Sequence, residues 1–261
     1  MSKPLIFSLR PEPDCSEDVA SLAKAGYEAI PLPMMVIKSD DAALDKALDI
    51  FSHRPDTEII ITSKQSSRML AAYSKSAAFR PAFRQSRIWC VGAGSAEILR
   101  QAGFIHAEAG KADAAELLER IDTSNIDKKP SFLWLSGVDI AFDIEKELNL
   151  QGYRATRSII YQSVAYAPEY QYQEYQALLD ALSAGRPVAA IAMSARTITL
   201  FAERLAHQKM SASSTNPILI VQSPAQAERA ENLGFFNIRA EGLGREPLLA
   251  CVAEWAQRHM Q

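Results

Sequence analysis

Cysteine is scarce. Cys15, Cys90 and Cys251 are the whole supply in 261 residues, and no C-x-x-C pair occurs. Neither a zinc ribbon nor a redox dithiol is indicated, and an odd set of scattered thiols fits a reducing cytoplasm. Histidine is equally thin: His53, His106, His207 and His259 stand alone, without metal-ligand spacing. No stretch approaches the ~20 apolar residues that a membrane span needs. The opening MSKPLIFSLRPEPD reads as a first strand rather than a leader. A net charge of -3 supplies no basic field for nucleic acid, so any anionic ligand would be met by local cations. Neither a G-x-x-x-x-G-K-[ST] loop nor a G-x-S-x-G elbow is found. The run VGAGSAE contains Gly92-x-Gly94, but Glu97 occupies the third glycine position, where a carboxylate suits no pyrophosphate.

What remains is a globular balance, 48% hydrophobic and 23% charged, arranged as alternating strand-like and helix-like runs. Strand patterns fall at 4–9, 57–62, 87–92, 131–137, 188–193, 218–222 and 235–239, with a brief one opened by Gly103-Phe104-Ile105. Helical spacing is read between them: from Asp14 to Gly26, at 41–53, from 64 to about 78, 95–103, 112–122, 140–151, 171–184, 195–207, 225–233 and 246–259. A serine-rich break, KMSASSTNP, separates two of these runs. Two longer extended stretches stand apart: 27–38, where Pro31 and Pro33 suit an edge or connector, reads as a strand running from one unit into another, and 153–166 exceeds a mean strand of ~5–6 residues. The alternation predicts an α/β fold with parallel sheets covered by helices.

The chain also repeats itself. The interval from Ser63 to Gly92 equals that from Ser194 to Ser223, and Gly92 to Gly103 equals Ser223 to Gly234. Gly103-Phe104 matches Gly234-Phe235, and LAKAGYEA matches LNLQGYRA. Two similar units are therefore expected.

Ligands of open parallel sheets sit beyond the carboxyl ends of the strands. The residues at those places are Arg10; Thr62, Ser63, Lys64 and Gln65; Gly92 to Ser95; Ser136 and Gly137; Ser194, Arg196 and Thr197; and Ser223. Each serine alone suits a helix cap. As a set in two matching units, at helix starts with nearby cations, they point to an anion-binding site. Tyr161, in the second connector, is either a packing aromatic or a phenol facing that site. Asp139, Asp143, Glu145 and Glu147 are expected on a solvated helix face, with magnesium the minor reading.

The ordered motifs resemble the uroporphyrinogen-III synthase family. The residues that carry the likeness are Leu9-Arg10-Pro11, Thr62-Ser63-Lys64-Gln65, Val91-Gly92-Ala93-Gly94-Ser95-Ala96 with Gly103, Leu135-Ser136-Gly137, Gly152 through Tyr161, and Met193-Ser194. Gln65, Ser95 and Ser136 stand where the family more often has Asn, Thr and Arg, and Gln222-Ser223-Pro224-Ala225-Gln226 departs from a second V-G-x-x-T. Together with the repeat, the resemblance implies two flavodoxin-like α/β domains joined by a two-stranded linker, with a cleft between them. Residues 1–33 plus 168–261 would form one and 37–162 the other, with linkers near 31–38 and 158–167.

The resemblance further implies closure of linear hydroxymethylbilane to uroporphyrinogen III, with loss of water and inversion of the last pyrrole ring. No cofactor or metal is implied, and Tyr161 would be the proton donor. Arg10, Thr62, Ser63, Lys64, Gln65, Gly92, Ser95, Ser136, Gly137, Ser194, Arg196, Thr197 and Ser223 would hold substrate. A cytoplasmic monomer is expected, with hand-over of substrate from hydroxymethylbilane synthase and no nucleic-acid or membrane partner. The rival expectations are a non-catalytic two-domain ligand-binding protein and an inactive synthase-like paralogue.

Overall fold

The computed structural model of the chain describes residues 3–54, 56–111, 114–124, 130–167, 171–206, 216–242 and 244–260. The serine-rich break lies largely outside the described residues. In chain order the elements begin with β1 (Leu5–Ser8), α1 (Asp14–Lys24), β2 (Glu28–Pro31), β3 (Met35–Ser39), α2 (Asp41–Ser52), β4 (Thr57–Ile61) and α3 (Lys64–Tyr73). They continue with β5 (Ile88–Cys90), α4 (Ala93–Gln101), β6 (Ala107–Ala109), α5 (Ala114–Ser124), β7 (Ser131–Gly137), α6 (Ile144–Leu150) and β8 (Arg154–Ala165). The last are α7 (Tyr172–Ser183), β9 (Val188–Ile191), α8 (Ala195–Ala206), β10 (Ile218–Val221), α9 (Pro224–Asn232), β11 (Asn237–Arg239) and α10 (Arg245–Arg258).

The chain forms two compact units, Met1–Ile37 with Val164–Gln261, and Lys38–Ser163. The first holds a parallel sheet in the order β11-β10-β9-β1-β2. The second holds β3-β8-β7-β4-β5-β6, parallel from β8 to β6. The edge strand β3 opposes its neighbour: Asp40 N–H donates to Ile160 O at 2.7 Å, while Tyr166 N–H donates to Met34 O at 2.9 Å. Both sheets are buried on two faces, which is why their strands read as continuous apolar runs. In β4, Ile59 and Ile61 enter one core and Ile60 the other. In β1, Leu5 and Phe7 face one core and Ile6 the opposite one.

The repeated glycine-aromatic pairs have one mechanical job. Gly26, Gly103, Gly152 and Gly234 all have φ between 80° and 89°. At each, the glycine N–H closes onto the helix and the following aromatic N–H reaches one residue further back, as with Gly103 to Arg100 O and Phe104 to Leu99 O. This is the Schellman closure, and the aromatic then packs under the helix end. Phe104 is fully buried. The short strand expected at Gly103-Phe104-Ile105 is therefore displaced: those residues close α4, and β6 starts at Ala107. Two helices are also shorter than expected. α3 stops at Tyr73, ahead of a 3-10 turn at Pro81–Gln85. α6 starts only after Asp143, whose carboxylate accepts from Lys146 N–H at 3.1 Å.

The first unit is tied at the end of β1 by a buried ion cluster. Arg10 reaches Asp14 at 2.8 Å and Asp18 at 3.1 Å. Asp18 also accepts from Ser8 Oγ at 3.1 Å and pairs with Arg245 at 3.0 Å, while Arg245 further contacts Glu17. The cluster staples β1, α1 and α10 together. Removing one partner of a buried pair leaves the others uncompensated, which costs more than the pair contributes. Asp18→Asn should lower unfolding free energy by about 3 kcal/mol in urea titrations; a loss below about 1 kcal/mol would show the cluster to be solvated.

Candidate active site

In the second unit the sheet order reverses direction between β4 and β7, since the chain runs outward from β4 to β5 and β6 and then returns to β7 on the other side. Such a switch point leaves a crevice beyond the carboxyl strand ends. Here it is a pocket of about 290 Å³. Thr62 and Ser63 enter it from the end of β4, Gly137 from the end of β7, and Tyr161 from β8. Trp134 forms an aromatic wall, with its Nε1–H on Thr62 Oγ1 at 3.3 Å.

Tyr161 reaches the pocket through a register shift. β7 and β8 pair in step from Ser131↔Arg154 to Ser136↔Ile159, and then Gly137 pairs with Tyr161. The extra residue, Ile160, breaks the alternation, so Ile160 and Tyr161 both pack on the same core. Such a bulge re-aims a side chain at a strand end. Gly137 makes the new position possible: a Cβ there would lie 2.6 Å from the Tyr161 ring. Arg157 fixes the turn, with Nε–H on Ser136 Oγ at 2.8 Å and Nη2 donating to Gly137 O at 2.6 Å and Val138 O at 2.8 Å. Its guanidinium also lies 5.1 Å from the Trp134 ring centre.

The Tyr161 hydroxyl donates to Ser63 Oγ at 3.0 Å. Ser63 is simultaneously the N-cap of α3, accepting from Ser66 N–H at 3.1 Å and donating to Ser66 Oγ at 3.1 Å. Burial pushes the Tyr161 phenol up from its ordinary value, the Ser63 bond pulls it down, and Asp139 adds to the rise. The phenol is thus held protonated at neutral pH. Cys15 and Cys90 are pushed up to about 12 by burial, so neither offers a thiolate there.

The other expected site residues divide. Lys64 lies across the start of α4, its Cε 2.6 Å from where a Gly94 Cβ would stand. Gly92 is the N-cap of α4, Ser95 is buried in its first turn, and Gln65 sits in the first turn of α3. Ser136 is buried against Arg157 and is not in the pocket lining. In the first unit, Arg10 is engaged by Asp14 and Asp18. Ser194 Oγ accepts from Thr197 N–H at 3.0 Å and pairs with Thr197 Oγ1 at 2.8 Å, and Arg196 is exposed beside them. Ser223 forms a capping box with Gln226. Capping is therefore what most of these hydroxyls do.

Trp134, Ile140 and Phe142 also line the pocket, unmarked by the sequence pattern, as does Asp139, to which that pattern gives only a minor magnesium reading. Asp139 is not on a helix. It is exposed, as expected, but it precedes the cap of α6 and lies on the pocket lip, which corrects the expectation that it sits on a helix. By residue type Asp139 and Asp143 are equal N-cap candidates, so the sequence alone does not separate them.

A family model described as uroporphyrinogen-III synthase HemD matches residues 16–249. The chain belongs to that family. Solved uroporphyrinogen-III synthases share the fold. The enzyme from Helicobacter pylori 26695 aligns with TM-score 0.63 at 14% identity, over 97% of this chain and 100% of that one. A mutant of the enzyme from the extremely thermophilic bacterium Thermus thermophilus aligns with TM-score 0.59 at 15% identity, over 97% and 99%. No curated protein matches the sequence. No helix among the described residues is long and apolar enough to cross a membrane.

The buried placement of Tyr161 can be tested by its titration. Followed by tyrosine ring NMR and assigned with Tyr161→Phe, it should titrate above the ordinary ~10. Ser63→Ala should raise it further, because the Ser63 hydroxyl, once turned, can donate to the phenolate; Gly137→Ala should return it toward ~10 by displacing the ring. A native value at or below ~10 would contradict the buried placement.

Proposed function

We propose that the protein is a working uroporphyrinogen-III synthase, converting hydroxymethylbilane to uroporphyrinogen III and water without a cofactor, in the cytoplasm. The observation that carries the reading is the Tyr161 hydroxyl, protonated and aimed into a switch-point pocket beside Ser63. Family membership supplies the substrate class.

The residues suit the chemistry. An electron-rich pyrrole expels its terminal hydroxyl once the oxygen is protonated, so acid assistance and positioning suffice, and no strong nucleophile is needed. Tyr161 gives its proton to the departing oxygen. Ser63, turned from Ser66 Oγ, then donates to the phenolate, backed by the α3 N-terminus. The lip residues Val138, Ile140 and Phe142 are exposed and apolar, and suit ring faces better than carboxylates. The carboxylates are assigned to Lys64, Gln65 and the first turns of α3 and α4, with Ser194, Arg196, Thr197 and Ser223 as contacts in their own unit, while Arg10 is occupied by Asp14 and Asp18.

Fresh hydroxymethylbilane incubated with the pure protein should give the type III isomer faster than spontaneous closure gives type I. Tyr161→Phe should slow formation of type III several-fold or more, without loss of fold by circular dichroism. Type I alone, at the uncatalysed rate, would contradict the reading; tight binding of uroporphyrinogen without turnover would indicate a non-catalytic member of the family.

A further inference from the structure

We infer that Asp139 is a catalytic residue: its carboxylate is the counter-ion for the cation formed on the pyrrole ring that loses its hydroxyl, and the pocket beneath Tyr161 receives that ring. This rests on the function proposed above.

The pocket has an unexpected charge for its substrate. Its lining includes the hydroxyls of Thr62, Ser63 and Tyr161 and the apolar faces of Trp134 and Phe142, yet Asp139 is the charged side chain that completes it. A carboxylate is the wrong group to hold the side arms of an octacarboxylate, since like charges repel at close range. Asp139 is exposed at the lip and follows Val138, which is 48% exposed, and precedes Ile140, which is 37% exposed. An anion within an apolar rim selects for something flat, apolar and transiently positive.

The first step of ring closure makes such a species. The bond from the hydroxymethyl carbon to oxygen breaks, its electron pair leaving with the oxygen, which takes the Tyr161 proton and departs as water. The pyrrole nitrogen lone pair delocalises onto the exposed carbon, giving an azafulvenium cation with positive charge at the ring N–H. The phenolate of Tyr161 balances the charge and recovers a proton when the closed ring regains aromaticity. Asp139 would accept the ring N–H throughout, but its attraction grows only as the cation forms. An interaction stronger in the transition state than in the ground state raises kcat, not ground-state binding. With the substrate's carboxylates nearby, the same anion opposes binding.

This predicts an uncommon kinetic signature. Asp139→Asn, with steady-state assay of type III formation from hydroxymethylbilane, should lower kcat about 10-fold or more, while KM stays the same or falls. Asp139→Glu should retain more of kcat than Asp139→Asn, with circular dichroism showing both variants folded. A native protein that makes type III while Asp139→Asn keeps kcat within about two-fold would overturn this inference and leave the function standing. A loss confined to KM would overturn it as well, by making Asp139 a binding contact. No type III from the native protein would overturn both.

Discussion

The one-residue shift between β7 and β8 is the constraint on which the candidate site depends. Two strands in perfect register would send Ile160 and Tyr161 to opposite faces of the sheet. With Gly137 paired to Tyr161, both face one core and the phenol reaches the strand end. The shift is held from three directions. Val138 N–H donates to Tyr161 O at 3.0 Å, the bare Gly137 leaves room for the ring, and the Arg157 guanidinium binds carbonyls on both sides of the turn. Arginine suits this task because its planar fork addresses several acceptors at once, which an ammonium cannot do with fixed geometry. Ser136 belongs to the same clamp: its hydroxyl accepts from Arg157, and the side chain is all but fully buried.

The two units use one architecture to different ends. In the second, the β4 end delivers Thr62 and Ser63 to a pocket, and Ser63 serves both as helix cap and as partner of Tyr161. In the first, the β1 end delivers Ser8 and Arg10 to Asp18, a carboxylate with no exposure at all. There the polar tip stabilises the fold. The counterpart of β4 in the repeat is β9, whose end delivers Ser194 to accept from Thr197 N–H in the first turn of α8.

Much of this is legible in the sequence. Short continuous apolar runs such as EIII and SFLWL, set between helical runs, read as strands buried on two faces, and the glycine-aromatic pairs mark helix ends in both units. The match of Ser63 with Ser194 reflects two helix starts built alike. Three features are hidden, each for a physical reason. The register shift leaves no trace in hydrophobic pattern, because β8 is apolar on both sides of Ile160. Arg157 acts through neighbours 20 residues earlier, a spacing that depends on strand pairing. Asp139 reads as part of a helix because Ile140, Ile144 and Leu148 recur every four residues, whereas the helix is capped by Asp143 and Ile140 with Phe142 forms a lip.

The central claim is that the pocket at the β4–β7 switch point is where the reacting ring sits. Amide hydrogen exchange with and without saturating uroporphyrinogen III tests it most directly. The account predicts slowed exchange at Ser63–Ser66, where the α3 N-terminus and its cap face the ligand, and across residues 137–142. Unchanged exchange in both segments, with protection elsewhere in the chain, would contradict it.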